Sequence, residues 1–145
     1  MKLSAKIEYA YKAVLALAQT GPGGQPVQVG MIADRLELSP KFLLQVMIQL
    51  KNAGVIRSVR GASGGYLLTR EPGHVTLKEV VQAVDPGFLD GPQPGKAGSG
   101  TSGGAEALRD VWREISSQVD EKLGHTDFQT LLLKSQAEGC FVYQI

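Results

Sequence analysis

Cysteine is nearly missing from this chain: Cys140 is the single one in 145 residues. An internal disulfide and an all-cysteine metal site are thereby excluded. No apolar run approaches the ~18 residues that a bilayer span requires. The opening Met1-Lys2-Leu3-Ser4-Ala5-Lys6 has no signal-peptide apolar region either. The expected compartment is the cytoplasm, with no membrane partner. Internal repeats are absent as well. What is present is ample apolar material, 43% against 20% charged residues, so a packed core is expected and global disorder is not. The length suits one domain plus an appendage.

Acidic residues are missing from a stretch of their own. Between Leu38 and Arg70 there are five bases and no acid. Residues 1–70 hold nine Lys/Arg against three acids (+6), and residues 71–145 hold six against eleven (−5), so the net charge of +1 hides two opposed halves. A basic N-terminal half that attracts polyanions, joined to an acidic half that repels them, fits a nucleic-acid binder with a separate second function. Chance clustering on a solvated surface is the bland alternative.

Apolar spacing predicts the elements. Residues 3–20 read as a helix capped by Ser4, with Leu3, Ile7, Tyr11, Val14, Leu15 and Ala18 on its inner side. Thr20-Gly21-Pro22-Gly23-Gly24 ends it, and Gln25 to Val29 is a short extended segment. A second helix, poorly signalled at its start, spans about Gly30 to Leu36 with Ile32, Ala33 and Leu36 inward. The third is clearer: Ser39 caps it, Pro40 takes the first helical position, Leu43, Val46, Met47 and Leu50 form its stripe, and Gly54 closes it. Only Glu37 and Leu38 separate the two helices, which is a helix-turn-helix signature. Val55 to Val59 and Tyr66 to Thr69 read as strands around the glycine-rich turn Arg60-Gly61-Ala62-Ser63-Gly64-Gly65, and the hairpin completes a winged helix. Thr76-Leu77-Lys78-Glu79 is a capping box for a short helix to about Val84.

From Gly91 to Gly104, six of fourteen residues are glycine and two are proline, a composition that cannot offset its ordering entropy and predicts a mobile loop. Beyond it, Glu106 to Leu123 carries Leu108, Val111, Trp112, Ile115, Val119 and Leu123 on one helical face. Thr126 is the expected cap of a last helix, about Asp127 to Ala137, followed by the apolar tail Phe141-Val142-Tyr143. The chain thus divides into a winged helix-turn-helix at 1–84, a Gly/Pro-rich loop at 85–105, and a dimerisation helix with a C-terminal helix at 106–145. The fold class is mainly α with a small β-hairpin wing.

In helix-turn-helix proteins the second helix enters the major groove and its N-terminal residues meet base edges. The exposed candidates are Lys41, Phe42 and Gln45: Gln45 suits an adenine edge, Lys41 phosphate or guanine, and Phe42 either a thymine methyl or a half-buried anchor. On the wing the candidates are Arg57, Ser58 and Arg60, the last suited to a narrow minor groove. A winged helix that docks a protein instead of DNA is the alternative. The Glu106–Leu123 face either covers the N-terminal domain or pairs with its copy on a second subunit, and its position beyond a complete winged helix favours the pair. Other features carry less. Gly91-Pro-Gln-Pro-Gly95-Lys96-Ala97 departs from a phosphate loop in spacing and in its last residue, and His74 and His125 lack ligand partners at metal spacing. Cys140 reads as a small hydrophobe, with a single-cysteine redox sensor as the sharper option. No nucleophile or acid/base constellation suggests an enzyme.

Three segments, Ser39-Pro-Lys-Phe-Leu-Leu-Gln45, Leu50-Lys-Asn-Ala-Gly-Val-Ile56 and Ser58-Val-Arg-Gly-Ala-Ser-Gly-Gly-Tyr-Leu-Leu68, closely resemble the Rrf2 family of bacterial transcription regulators. The order of elements fits over nearly the whole chain. The resemblance implies a homodimer, paired through the long helix, that reads a palindromic operator on double-stranded DNA. A repressor is expected, because a protein that occupies an operator blocks polymerase sterically. It implies DNA contacts over residues 39–45, with Ser39 and Pro40 joining Lys41, Phe42 and Gln45, and on the wing at Ser58 and Arg60 within the Arg60-Gly61-x-x-Gly64-Gly65 motif. Two departures matter. Leu44 stands where members often carry an acid, so a family operator sequence does not transfer. The loop that holds three cysteines for an iron–sulfur cluster in sensing members has none here, which implies a member without a cofactor. Its effector, a small molecule or a protein, is left open.

Overall fold

The Ser4 hydroxyl accepts a hydrogen bond from the Ile7 N–H at 3.3 Å, and helix α1 (Ala5–Thr20) starts there as the cap predicts. Residues 2–90 and 103–138 are described by the computed structural model. After α1 come α2 (Val29–Leu36), α3 (Pro40–Asn52), strands β1 (Ile56–Val59) and β2 (Gly65–Leu68), a 3-10 turn (Pro72–His74), α4 (Leu77–Val84), α5 (Gly103–Gly124) and α6 (Phe128–Ala137). This is the expected winged helix with a long C-terminal helix.

The centre of the molecule is α1, and the core differs from the stripe read off its sequence. Leu3 lies outside the helix and is 45% exposed, and Tyr11 and Leu15 are only half-buried, whereas Ile7, Ala10, Ala13, Val14, Ala16 and Leu17 are fully buried. The reason is that α1 packs against α2, α3, α4, α6 and β2 together, so its buried arc is wider than a single amphipathic stripe. Alanine on that arc lets the neighbouring backbones approach closely.

Helix α2 begins at Val29 with no side-chain cap bond from Gln28, consistent with its weak start signal. The turn into α3 is tighter than sequence alone conveys. Glu37 sits at φ 52, ψ 43, the one non-glycine residue at positive φ among those described, and the Leu38 N–H reaches back to Ala33 O at 2.9 Å. Holding an L-residue there costs roughly 1–2 kcal/mol. Glu37→Gly is therefore expected to stabilise the protein by roughly 0.5–1 kcal/mol after the larger entropy of an unfolded glycine is counted. The check is the urea midpoint, which should rise at constant slope; an unchanged or lower midpoint counts against this reading.

Helix α3 follows its sequence closely. Ser39 caps it, Pro40 opens it, Leu43, Val46, Met47 and Leu50 are buried to 1% exposure or less, and Gly54 takes φ 76 beyond its end. The strands are each shifted from their predicted spans: Val55 is buried just ahead of β1, and β2 starts at Gly65 and stops before Thr69. Their register pairs Ile56 with Leu68 and Val59 with Gly65. Val27, from the extended segment after α1, pairs with Tyr66 through two hydrogen bonds of 2.8 and 3.0 Å and so gives β2 a neighbour on its other edge.

The Thr76–Glu79 capping box forms in full at the start of α4. Partial burial pushes the Glu79 carboxyl up, but the Thr76 N–H, the Arg70 guanidinium at 2.8 Å and the Thr76 hydroxyl together hold it below its ordinary value. Helix α6 returns to the core: Phe128 is fully buried and faces the ring of Tyr11, and Phe128 N–H bonds to Val75 O at 3.0 Å. Its cap is Asp127 rather than Thr126. The Asp127 carboxylate accepts from Thr130 N–H at 2.7 Å, while the Thr126 hydroxyl is drawn to Lys122 O at 2.9 Å at the end of α5.

Helix α5 starts at Gly103, three residues ahead of the expected Glu106, so Gly103 and Gly104 extend the helix instead of ending the loop. It has no fully buried residue. Lys78 of α4 holds it through an ion pair of 2.6 Å with Asp120. Leu123 is half-buried against the core and Val119 is half-buried, but Leu108, Val111, Trp112 and Ile115 are 63%, 54%, 44% and 44% exposed. The residues of the predicted loop from 91 to 102, together with Cys140 and the tail Phe141-Val142-Tyr143, lie outside the described residues.

Candidate nucleic-acid interface

The first turn of α3 is fixed by its cap. The Ser39 hydroxyl accepts from Phe42 N–H at 3.4 Å, and the missing N–H of Pro40 leaves no donor wanting at the first helical position. The inward stripe of Leu43, Val46, Met47 and Leu50 then turns Lys41, Leu44, Gln45 and Ile48 outward, all of them exposed. The surroundings of Phe42 are those of a half-buried anchor whose ring still reaches the helix surface. Its ring stands edge-to-face on Tyr9 at 4.9 Å and 81°. Phe42, Gln45 and Ile48 line a groove of about 320 Å³ with Lys6 of α1, which brings a further base beside the helix that sequence reading had not singled out.

The wing presents Arg57, Ser58 and Arg60 at exposed positions. Arg57 donates from Nη2 to Pro22 O at 3.1 Å and so ties the turn after α1 to β1. The glycines work differently from the arginine they accompany. Gly64 is buried, and a Cβ on it would collide with the Val59 carbonyl. Gly61 and Gly65 adopt φ 111 and φ 153, which L-residues avoid. Their part is to let the hairpin close tightly beneath an exposed Arg60 tip. Of the five bases between residues 38 and 70, Arg70 is the one ion-paired among the described residues, to Glu79; Lys41, Lys51, Arg57 and Arg60 keep uncompensated charge at the surface. Such a surface attracts a polyanion.

Two positioning contacts escaped the sequence reading. Tyr9 Oη accepts from the Ser39 N–H at 3.2 Å, and Val27 braces the wing from the far edge of β2. Neither partner is near in sequence, so no local pattern could reveal them.

A family model described as Rrf2, iron-dependent transcriptional regulator, matches residues 3–134. The chain belongs to the Rrf2 family. It is 35% identical over 133 residues to the HTH-type transcriptional regulator IscR of Xenorhabdus nematophila, covering 91% of this chain and 79% of that one. Among solved structures, CymR, the global cysteine regulator of B. subtilis, superposes with a TM-score of 0.75 at 30% identity over 90% of this chain and 95% of its own. T. potens IscR does so with a TM-score of 0.75 at 30% identity over 100% and 94%. As an Rrf2 member the chain is a winged-helix, DNA-binding transcriptional regulator, and the family and these relatives are regulators rather than enzymes.

The iron dependence in the family's description finds no matching donor set among the described residues of this chain. Residues 91–102 contain no Cys, His, Asp or Glu, and Cys140 is the sole thiol. Among the described residues no group of three or more His, Cys, Asp or Glu side chains is gathered as a metal site requires. His74 and His125 are exposed on separate elements, and the His125 Nδ1 lies 2.9 Å from Glu121 O. A cluster needs several thiolates or imidazoles converging on it. No helix among the described residues is long and apolar enough to cross a membrane.

Proposed function

We propose that this Rrf2-family regulator works as a homodimer that places two copies of helix 39–53 and wing 55–69 on a palindromic operator, and that it represses by occupying the site against polymerase. Supporting this reading is one pairing of features: outward-facing Lys41, Gln45 and Arg60 at one part of the chain, and an uncovered apolar strip from Leu108 to Ile115 at another. Apolar area of that extent on a helix with no buried residue calls for a partner, and a second copy of the same strip is self-complementary about a two-fold axis. Two subunits so paired present half-sites about one helical turn, ~34 Å, apart. The cytoplasm, where the operator is, is the compartment this function requires.

Within the dimer, Gln45 reads a base edge and Arg60 enters the minor groove or grips phosphate, while Lys41 adds backbone charge. The test is sequencing of genomic fragments co-purified with the protein, followed by titration of the recovered site. Arg60→Ala is expected to weaken binding by about 1–3 kcal/mol, and Gln45→Ala to relax preference at one base pair in each half-site. Log affinity should fall against log salt with a slope of about 0.9 per phosphate contact, shallower by about one contact in Arg60→Ala. If both variants bind the recovered site like the wild type, these residues do not read DNA. Salt-insensitive capture of a protein with no DNA retained is the outcome expected of a protein-docking winged helix instead.

A further inference from the structure

Helices α1, α3, α4 and α6 each start with a side-chain oxygen that accepts from a backbone N–H three residues on, and at α4 the box is completed by its own helix. At α4, Thr76 and Glu79 satisfy each other: Glu79 N–H donates to Thr76 Oγ1 at 3.3 Å, and Thr76 N–H donates to Glu79 Oε2 at 3.0 Å. At α3 the corresponding pair is Ser39 and Phe42. Phe42 N–H donates to Ser39 Oγ at 3.4 Å, but a phenylalanine has no oxygen to return, so the Ser39 N–H finds no acceptor on its own helix. That acceptor comes from α1. Tyr9 Oη takes the Ser39 N–H at 3.2 Å, and the Tyr9 ring stands edge-on to the ring of the same Phe42 at 4.9 Å. Ser39, Phe42 and Tyr9 thus close a ring of three contacts, a capping box whose second half is supplied across the fold.

We infer that Tyr9 is a positioning residue for DNA reading: through its hydroxyl on the Ser39 N–H and its ring on Phe42, it sets where the first turn of α3 stands relative to the core. Helix α1 is a fixed reference, because Ile7 and Ala10 on either side of Tyr9 are fully buried. The turn it holds carries Lys41 and, one turn on, Gln45, the side chains that face the duplex in the function proposed above, on which this inference rests. The Ser39 N–H is near solvent, so water can replace the phenol oxygen at small cost in stability. What water cannot replace is the fixed distance to α1. The consequence falls on specific recognition, which needs the helix end in one place, and far less on backbone attraction, which does not.

The test compares Tyr9→Phe with Tyr11→Phe. Tyr11 also spends its hydroxyl on one hydrogen bond to the backbone, to Leu77 O at 3.4 Å, but at α4 rather than α3. The specific probe is the duplex that the wild-type protein itself selects from a random pool, and the non-specific probe is poly(dI-dC). Tyr9→Phe is expected to lose about threefold to tenfold in affinity for the selected duplex, the worth of one hydrogen bond. Its affinity for poly(dI-dC) should stay within about twofold, and hydrogen exchange at the Ser39 amide should speed up. Tyr11→Phe should hold its affinity for the selected duplex even where its thermal midpoint falls as much as that of Tyr9→Phe or more. The inference is overturned if Tyr9→Phe binds the selected duplex like the wild type, if it loses affinity on both probes alike, or if the two variants lose affinity in step with their midpoints. A Tyr9→Phe protein that does not fold also overturns it, since Tyr9 would then be structural. A wild-type protein that selects no duplex overturns the proposed function first, before any variant is compared, and this inference falls with it.

Discussion

Ile115→Asp is expected to leave a folded monomer whose affinity for a two-half-site operator is lower by about a hundredfold or more. The substitution is benign to the subunit. Ile115 is 44% exposed on a helix with no fully buried residue, so a carboxylate there is solvated and breaks no packing. In the proposed dimer the same carboxylate would face its symmetry copy inside the apolar strip formed with Leu108, Val111 and Trp112. These residues recur at three- and four-residue steps, as a helix-pairing face requires. Each buried side chain of this size is worth about 1.5–3 kcal/mol, and two unpaired carboxylates brought together in that environment oppose it with like-charge repulsion and desolvation. Separating the subunits removes the effective concentration with which the second recognition helix finds its half-site. Sedimentation equilibrium and titration of full and half-site duplexes measure the two effects together. The half-site affinity should be unchanged. A variant that stays dimeric, or a monomer that binds the full site as tightly as the wild type, contradicts the proposed role of α5.

Gly65→Ala is expected to cost on the order of 2–4 kcal/mol and to disable the wing. Here the backbone decides. Gly65 sits at φ 153, and a Cβ on it would stand 2.6 Å from both the carbonyl carbon and the oxygen of Val27. Those are main-chain atoms of the segment that pairs with Tyr66 at 2.8 and 3.0 Å, so they cannot swing aside as a flexible side chain would. Either the Val27–Tyr66 pairing opens or β2 shifts, and in both cases Arg60 at the hairpin tip loses its platform. The thermal midpoint should fall by roughly 5–15 °C for a domain of this size. In folded Gly65→Ala protein at low temperature, DNA affinity should fall at least as far as in Arg60→Ala. An unchanged midpoint contradicts the steric argument.

Local chemistry made α3 legible. A serine, a proline, four apolar residues at helical spacing and a glycine specify its start, its inner face and its end, and each was found where it was expected. The Thr76–Glu79 box was equally readable, because both partners lie within one turn. Where reading failed, the cause was a competitor that local pattern does not contain. Thr126 and Asp127 both suit a cap, and the choice of Asp127 follows from the end of α5, whose Lys122 carbonyl takes the Thr126 hydroxyl. Gly103 and Gly104 have poor helix propensity, yet they continue a helix that the following turns sustain. On α1 the buried arc was too broad to read as a stripe, since five elements pack around it.

The chain's own order of residues determined the helix-turn-helix, the glycine-tipped wing, the acid-free basic stretch and the apolar strip on α5, because each depends on periodicity, a cap, or charge counted along a short segment. Tertiary structure alone decided that Phe42 packs on Tyr9, that Arg57 braces the Pro22 turn, that Val27 closes against the wing, and that α6 with Phe128 returns to α1 while Leu108, Val111, Trp112 and Ile115 of α5 stay exposed. The physical reason is the same throughout. Side-chain type and spacing set what a segment can offer, but which distant segment meets a given donor, ring or apolar face is chosen by the packing of the whole chain.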